Sequence, residues 1–599
     1  MKGAYDKMKT KFKLAAVLLC LVYILAANPA DKKSSALGAE TDIKKEEQMR
    51  AVWAATNFGL DFPKTPSSNP NSLKSELNAL VNSAKDLNFN TIFFQVRPSG
   101  DAFYKSELYP WSKYLTGAEG KAPDGNFDPL EYIIKISHEK NIKIHAWINP
   151  YRLPDADGSA LSVEANHPDW VINADGKKYL NPGIPEVNDF IANGAAEIAR
   201  NYQIDGIQID DYFYPEGNFP DDWSFGHYGA GFSDKAAWRR NNINSLIEKM
   251  NTAIKKENKD VLFGVSPQGI WANAKNLEGG SETSGKEAYF SACADTKKWV
   301  SESLIDYIIP QIYWNIGYAG ADFKTLASWW NNAAIGSKTK LYIGMAVYKA
   351  ADCTDPESIW YKKSGAAELE KQASLLAGLK NVCGTAMYRM ESVLKSEDIK
   401  NSAKAINSGE ISVFYDLADY PWAKDDILFL YEKNILSGMG DGTFGAGLNV
   451  TRGQFAVMLS RVCGKKANFK DNFSDVEQES YYYNEIGSLK ALGLINGVSG
   501  NKFNPGGEIT RQDMAVMTWR ILSSDGILSA PKAKKAFSDS AQIAPYAEDA
   551  VYALCEEKLL NGYEDGTFKP KNNATRAECG VFLRRIYDIM SNRLEKSEK

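Results

Sequence analysis

Between residues 49 and 408 the chain repeats one two-part unit: a short β-branched or aromatic run, then a helix-length amphipathic stretch. Eight strand-like runs can be read, at 50–56, 91–97, 142–149, 206–211, 261–266, 307–313, 341–347 and 385–389. Amphipathic stretches at 73–87, 129–140, 187–201 and 236–257 lie between them. Parallel strands need a crossover long enough to hold a helix. Eight such units in about 360 residues is the arithmetic of a (β/α)8 TIM barrel with enlarged loops. An open parallel sheet is the alternative. No G-x-G-x-x-G follows a strand and no G-x-x-x-x-G-K-[ST] occurs, so nothing supports nucleotide binding.

The fourth run carries the most chemistry. Ile204, Ile207 and Ile209 give it strand character, and Asp210 and Asp211 stand where it ends, followed by Tyr212, Phe213 and Tyr214. An unpaired charge is expensive to bury, so a strand keeps such a pair only where something binds it. The carboxyl ends of parallel strands are where ligands sit in α/β folds. Acids beside aromatic rings suit a sugar: carboxylates for proton transfer, flat rings for stacking.

Other runs end in the same way, with Gln95, Arg97 and Asp101, with Trp147, Asn149, Tyr151 and Arg152, with Gln268 and Trp271, with Gln311, Tyr313 and Trp314, and with Tyr388 and Glu391. In a barrel these ends converge on one face. The candidate sugar-binding residues are therefore Gln95, Arg97, Trp147, Asn149, Tyr151, Arg152, Tyr212, Trp271, Gln311, Tyr313 and Trp314. Neighbouring residues on a strand point to opposite sides. One of Asp210 and Asp211 is thus expected in the site, the other salted into the wall against Arg97 or Arg152. Asp210 is favoured as nucleophile or base, with Asp211 the alternative. Glycoside hydrolysis usually needs a second carboxyl group. Glu391, ending the eighth run, leads Glu282, Glu287 and Asp101 for that role.

Composition removes other classes. A net charge of -5 offers no field for nucleic acid. Four histidines without H-E-x-x-H spacing argue against a metal site, and with it a metal-dependent deacetylase. No cofactor is expected. Seven scattered cysteines do not form a disulfide framework. Lys9, Lys11 and Lys13 precede an apolar run from Leu14 to Ala27, the order of an export signal and too short for a span. The expected plan is a signal over 1–30, a polar linker over 31–48 and the barrel over 49–408, with no stable membrane span after cleavage.

From residue 412 a different repeat begins. Phe473-Ser474-Asp475-Val476 and Phe537-Ser538-Asp539 open two units, and Phe414-Tyr415-Asp416 opens a weaker first one. Each passes through a glycine turn, as in Gly440-Asp441-Gly442-Thr443-Phe444, and closes with Thr-Arg before a second helix. Those pairs, Thr451-Arg452, Thr510-Arg511 and Thr575-Arg576, lie 59 and 65 residues apart. Thr in front of a helix is a natural N-cap. Such a period means helical units sharing one core.

These repeats resemble S-layer homology domains, at 412–464, 471–524 and 535–590. The resemblance implies a pseudo-threefold α-helical bundle whose grooves hold a secondary cell-wall polysaccharide. It also implies that Arg452, Arg511 and Arg576 contact the polymer, with Asp475 and Asp539 supporting. Only the third unit keeps the family's Ala-Glu after Thr-Arg, as Ala577-Glu578; the others have Gly453-Gln454 and Gln512-Asp513. The barrel region resembles the glycosyl-hydrolase-like 10 family through Arg50-Ala51-Val52-Trp53, the run from Phe93 to Ala102, the run from His145 to Arg152, Asn181-Pro182-Gly183, the Asp210-Asp211 run and the run from Pro310 to Trp314. That implies a secreted, wall-anchored glycosidase cutting a cell-surface glycan such as peptide-free peptidoglycan strands. A non-catalytic carbohydrate-binding surface protein on the same barrel is the competing expectation.

Overall fold

The computed structural model describes residues 48–154, 163–215, 217–439, 442–534 and 537–597. The expected export signal, the linker up to residue 47, and Gly440 and Asp441 of the first glycine turn lie outside the described residues. Among the described residues, those up to 369 together with 380–409 form one compact unit, and 370–379 with those from 410 form a second.

The first unit is a closed barrel of eight parallel strands: β1 (Met49–Ala54), β2 (Thr91–Arg97), β3 (Lys143–Ile148), β4 (Gly206–Ile209), β5 (Leu262–Val265), β6 (Tyr307–Ile308), β7 (Lys340–Met345) and β8 (Val382–Met387). β1 closes the ring by pairing with both β2 and β8. Helices α1 (Pro70–Asp86), α2 (Pro129–His138), α3 (Pro185–Asn201) and α4 (Lys235–Glu257) follow β1 to β4. Asn69, Asp128 and Asp234 cap α1, α2 and α4 with side-chain oxygens, satisfying N–H groups that have no partner within the helix.

Large rings fill the barrel: Trp53, Phe93, Trp147, Tyr307 and Tyr342 share one core. Two strand glycines make room for them. A Cβ on Gly206 would meet the His145 ring at 2.3 Å, and one on Gly264 the Tyr307 ring at 2.1 Å. His145 Nδ1 lies 2.7 Å from the Tyr307 hydroxyl, and burial pushes the imidazole down to about 4. It is therefore neutral and structural.

Three departures from the sequence expectation matter for the site. β4 stops at Ile209, two residues early. β6 holds only Tyr307 and Ile308, because Pro310 has no N–H for the ladder. Gln311 then rejoins the sheet through isolated bridges to Gln268 and Gly344. An antiparallel ribbon, Val171–Ala174 with Lys177–Leu180, is inserted before α3 and bridges to Arg152 through Tyr179.

The second unit is helical. Thr451, Thr510 and Thr575 cap the helices Arg452–Val462, Arg511–Ser524 and Arg576–Ser597 by accepting from the backbone N–H three residues on. One hydrophobic core runs from Phe414 to Ile586 through all three repeats.

Candidate active site at the barrel mouth

Because β4 ends at Ile209, Asp210 and Asp211 stand on the turn beyond it. The Tyr212 N–H donates to Asp210 Oδ1 (3.3 Å), and the Phe213 N–H to the Asp211 carbonyl (3.1 Å). Strand alternation does not govern a turn, so the expected division into one site acid and one wall acid fails. Asp210 Oδ2 accepts from Trp147 Nε1 (3.0 Å) and Asn149 Nδ2 (3.3 Å), both at the end of β3. Asp211 Oδ1 accepts from Gln311 Nε2 (3.2 Å), beyond β6. The same Gln311 amide donates to the Ser266 carbonyl, which fixes its side chain. The two acids thus share one end of the barrel, tethered from opposite sides.

Their surroundings favour the protonated form. Asp210 is 3% exposed; burial and then the Asp211 charge push it up to about 7, against the Trp147 hydrogen bond and the Arg152 charge. Burial also raises half-buried Asp211, opposed first by the Gln311 hydrogen bond. Two interacting acids of this kind titrate as a pair, and perturbed groups in a cleft mark a functional site.

Aromatic rings floor the mouth. Tyr388 lies 6.0 Å from Trp53, 6.4 Å from Trp147, 6.1 Å from Tyr313 and 6.0 Å from Tyr348. Tyr313 and Tyr348 are 5.8 Å apart. The charge of Asp210 is felt at Tyr388, and that of Asp211 at Tyr313. Arg152 lies 4.1 Å over the exposed ring of Tyr212.

Several expected site residues point elsewhere. Neither Asp210 nor Asp211 has an ion-pair contact with Arg97 or Arg152. A register shift between Gln95 and Arg97 turns Arg97 out of the barrel. There it lies 4.3 Å over the Tyr109 ring, against Gly194 of α3. Gln95 accepts from the Thr56 and Asn57 N–H groups at 2.9 Å and holds the first loop. Tyr151 is fully buried and donates to Asn188 of α3. Trp271 donates to Asp295 and stacks 5.8 Å from Trp329, stapling its loop. Trp314 packs beside Gly269. Glu391 is half-exposed and bonds Arg389 Nη1 at 2.6 Å and Lys64 Nζ at 3.1 Å. Burial opposes its ionisation, but those two cations outweigh it and hold the carboxyl below its ordinary value. An acid so tied is a poor proton donor, and the structure does not bring it to the Asp210–Asp211 pair. Of its rivals, Glu287 is held by the Asn273 N–H and the Asn276 amide, and Glu282 is exposed on its loop. Asp101 accepts from the Ser99 N–H and burial pushes it up to about 7. Among the described residues no group of three His, Cys, Asp or Glu is arranged to hold a metal.

In the second unit each repeat's arginine reaches into the next repeat. Arg452 Nε donates to the Phe503 carbonyl (3.1 Å), Arg511 Nε to that of Phe568 (3.0 Å), and Arg576 Nε to that of Phe444 (2.8 Å). Their guanidinium carbons lie 4.9, 5.1 and 4.5 Å over those same three rings. All three are buried. Asp475 and Asp539 accept two backbone N–H groups each, from Phe503 and Asn504 and from Phe568 and Lys569, so they shape the glycine turns. A hollow of about 1000 Å³ opens beside Arg511, lined also by Trp422, Tyr563, Lys569 and Glu578.

Comparison with known proteins bears on both units. The model of a family described as glycosyl hydrolase-like 10 matches residues 48–362, more than half of the chain. The chain belongs to that family. A model of the S-layer homology domain matches three further segments, 413–456, 472–515 and 536–578. Similar proteins include glycosyl hydrolase DigH of Escherichia coli strain K12, 36% identical over 410 residues, covering 64% of this chain and 93% of that protein. Glycosyl hydrolase YngK of Bacillus subtilis strain 168 is 38% identical over 364 residues, covering 59% of this chain and 70% of that protein. The PgaB (BpsB) glycoside hydrolase domain from Bordetella bronchiseptica superposes with a TM-score of 0.41 at 10% identity, over 59% of this chain and 98% of that one, too slight a likeness to bear on the site. In this glycosyl hydrolase-like 10 barrel, sequence reasoning passed over Tyr348, and it noted Tyr388 at the end of the eighth run without counting it among the sugar-binding candidates. Both follow strand ends, and the strand-end rule applied to β7 and β8 finds them.

Proposed function

We propose that the barrel is a glycoside hydrolase cutting a cell-wall glycan, with peptide-free peptidoglycan strands the first substrate to try. The observation that carries this reading is the neighbouring pair Asp210–Asp211, both pKa values raised by burial, set among aromatic rings at the barrel mouth. Proton transfer near neutral pH needs a carboxyl group that still holds its proton there. Trp147, Asn149 and Gln311 fix the two acids, while Tyr212, Tyr313, Tyr348 and Tyr388 offer faces for sugar rings. The names of the relatives, glycosyl hydrolases, support the same class.

The repeats then hold an exported enzyme to the cell surface through a secondary cell-wall polysaccharide. The hollow beside Arg511 is the best-equipped groove. Lys569, following Phe568, adds a second cation there, where the matching positions are Asn504 and Gly445. Lys569 and Arg511 stand there in pairs with Asp565 (3.1 Å) and Glu578 (3.7 Å), so an anionic sugar would bind by taking over those cations, beside the exposed Trp422.

The test is release of sugars from peptide-free strands by the full chain, read by mass spectrometry beside Asp210→Asn and Asp211→Asn. Turnover by the parent and its loss in a folded variant is the expected result. Tight glycan binding with no turnover on any wall glycan would instead indicate a binding protein.

A further inference from the structure

The second unit holds a charged feature that neither the barrel mouth nor the groove beside Arg511 involves. A hollow of about 1290 Å³ opens between the first and second repeats, lined by Lys433, Arg461, Lys465, Lys466 and Glu485 among others. Four cations thus meet one carboxylate there, in a chain whose net charge is -5. Lys465 is half-buried and pairs with Asp525 at 2.5 Å. Lys433, Arg461 and Lys466 are exposed, and none of them makes an ion pair among the described residues.

The fold holds these charges together. Lys465 and Lys466 lie on the linker between the two repeats. The Ser460 hydroxyl donates to the Lys465 carbonyl (2.7 Å), and the Ser488 hydroxyl to the Ala467 carbonyl (3.0 Å). Phe469 packs 5.5 Å from Tyr483 and fills the space beside Gly487, where a Cβ would meet its ring at 2.4 Å. The linker is therefore pinned to the helices Arg452–Val462 and Tyr483–Ala491. Lys433 joins them at the carboxyl end of the helix Pro421–Glu432. A cation there complements the helix dipole, but the dipole does not demand it. Five residues before the turn glycines Gly438, Gly497 and Gly562 stand Lys433, Leu492 and Glu557, so the other two repeats do without. Clustered like charges repel one another and attract a counter-ion.

From this gathering of cations around one hollow we propose a second polymer site on the repeats, for a chain of phosphodiesters such as poly(glycerol phosphate). The hollow shares no lining residue with the one beside Arg511. Arg461 stands nine residues after Arg452 on one helix, roughly 14 Å along its axis and away from the arginine contacts between repeats. Three of the four cations are lysines, point charges that meet phosphate oxygens from any direction. The space exceeds the roughly 300–1000 Å³ of a small-molecule pocket, which suits several units of a polymer better than one isolated group. Asn468 and Asn484 also line it and bring amides for polyol hydroxyls. The site owes nothing to the chemistry of the barrel.

Calorimetric titration of the full-length protein with soluble poly(glycerol phosphate) tests the proposal. It is run beside the double variant Lys433→Gln, Lys466→Gln and a second double variant, Lys532→Gln, Lys558→Gln, which removes the same charge from exposed positions elsewhere in the unit. Binding by the parent is expected to weaken at least tenfold in the first double variant, with a shallower dependence on salt, and to stay within twofold in the second. No binding by the parent, no change in the first double variant, or equal weakening in both overturns the proposal. Binding to phosphatidylglycerol vesicles without binding to the polymer also overturns it and assigns the cations to a lipid surface.

Discussion

The indole N–H of Trp147 donates to Oδ2 of Asp210 across 3.0 Å, from the end of one strand to the turn beyond the next. It favours the ionised acid against the burial and the neighbouring charge that oppose it. Trp147→Phe keeps the ring and removes the donor. Asp210 should then titrate higher still, and the acidic limb of the kcat pH profile should move upward. A charge-assisted hydrogen bond is worth about 1.5–3 kcal/mol, so kcat should fall by roughly tenfold to a hundredfold at neutral pH.

Asp210 also sets a pH dependence of stability. Its pKa is raised in the fold, from 3.8 to about 7. Below the unfolded value both states hold the proton and no stability is lost. Between about 4 and about 7 the unfolded chain releases the proton while the folded chain keeps it, so stability falls as pH rises. Asp210→Asn removes that loss. Calorimetry of the variant should show a Tm above the parent at pH 8 by at least about 1 °C, the shift that roughly 1 kcal/mol gives in a barrel of about 360 residues. The difference should vanish near pH 4.

Glu391 is the acid that the end of the eighth strand suggested and the structure diverts. Exposed ion pairs contribute about 0–1 kcal/mol. Glu391→Gln should therefore leave kcat on a wall glycan within about twofold, with at most a small drop in Tm. A hundredfold loss of turnover in a variant of unchanged Tm would restore it as the missing carboxylate.

Lys569 distinguishes one groove from its two counterparts. Lys569→Ala should weaken sedimentation of the full chain with isolated cell walls by roughly tenfold, the weight of one well-placed cation. Asn504→Ala should change it little. Equal effects at both positions would mean that the groove beside Arg511 has no special part in wall binding.

Arg511 combines a buried hydrogen bond to the Phe568 carbonyl and a half-buried one to the Asn561 carbonyl with a ring contact. Arg511→Lys loses the planar fork that makes both bonds. It should lower the melting transition of the helical unit, by about 2–4 kcal/mol in stability, because the two carbonyls lose their partner.

The barrel was legible because burial on both faces forces near-continuous apolar strands, and its helices must show one apolar stripe. The place of Asp210 and Asp211 was equally plain, since acids after a β-branched run have few other uses. Side-chain direction was not legible. Whether Arg97 faces the mouth or α3 depends on a one-residue register shift. Whether Asp210 and Asp211 diverge depends on a strand ending at Ile209 instead of Asp211. Tyr151 and Trp271 carry the composition of a sugar site, yet Asn188 and Asp295, far away in sequence, claim their polar atoms. Composition at a strand end states what is available there; tertiary partners decide what remains free to bind.

The arginine contacts between repeats have an arithmetic of their own. Arg452 reaches from the first repeat to the second, Arg511 from the second to the third, and Arg576 from the third back to the first. A linear solenoid grows or shrinks by one repeat because its ends are capped and its middle is indifferent to length. This trio has no ends. Losing one repeat would strand one arginine without its carbonyl and one carbonyl without its arginine, and inserting a fourth would break the return step. Recombination can therefore move the three together from one enzyme to another, but cannot readily change their number.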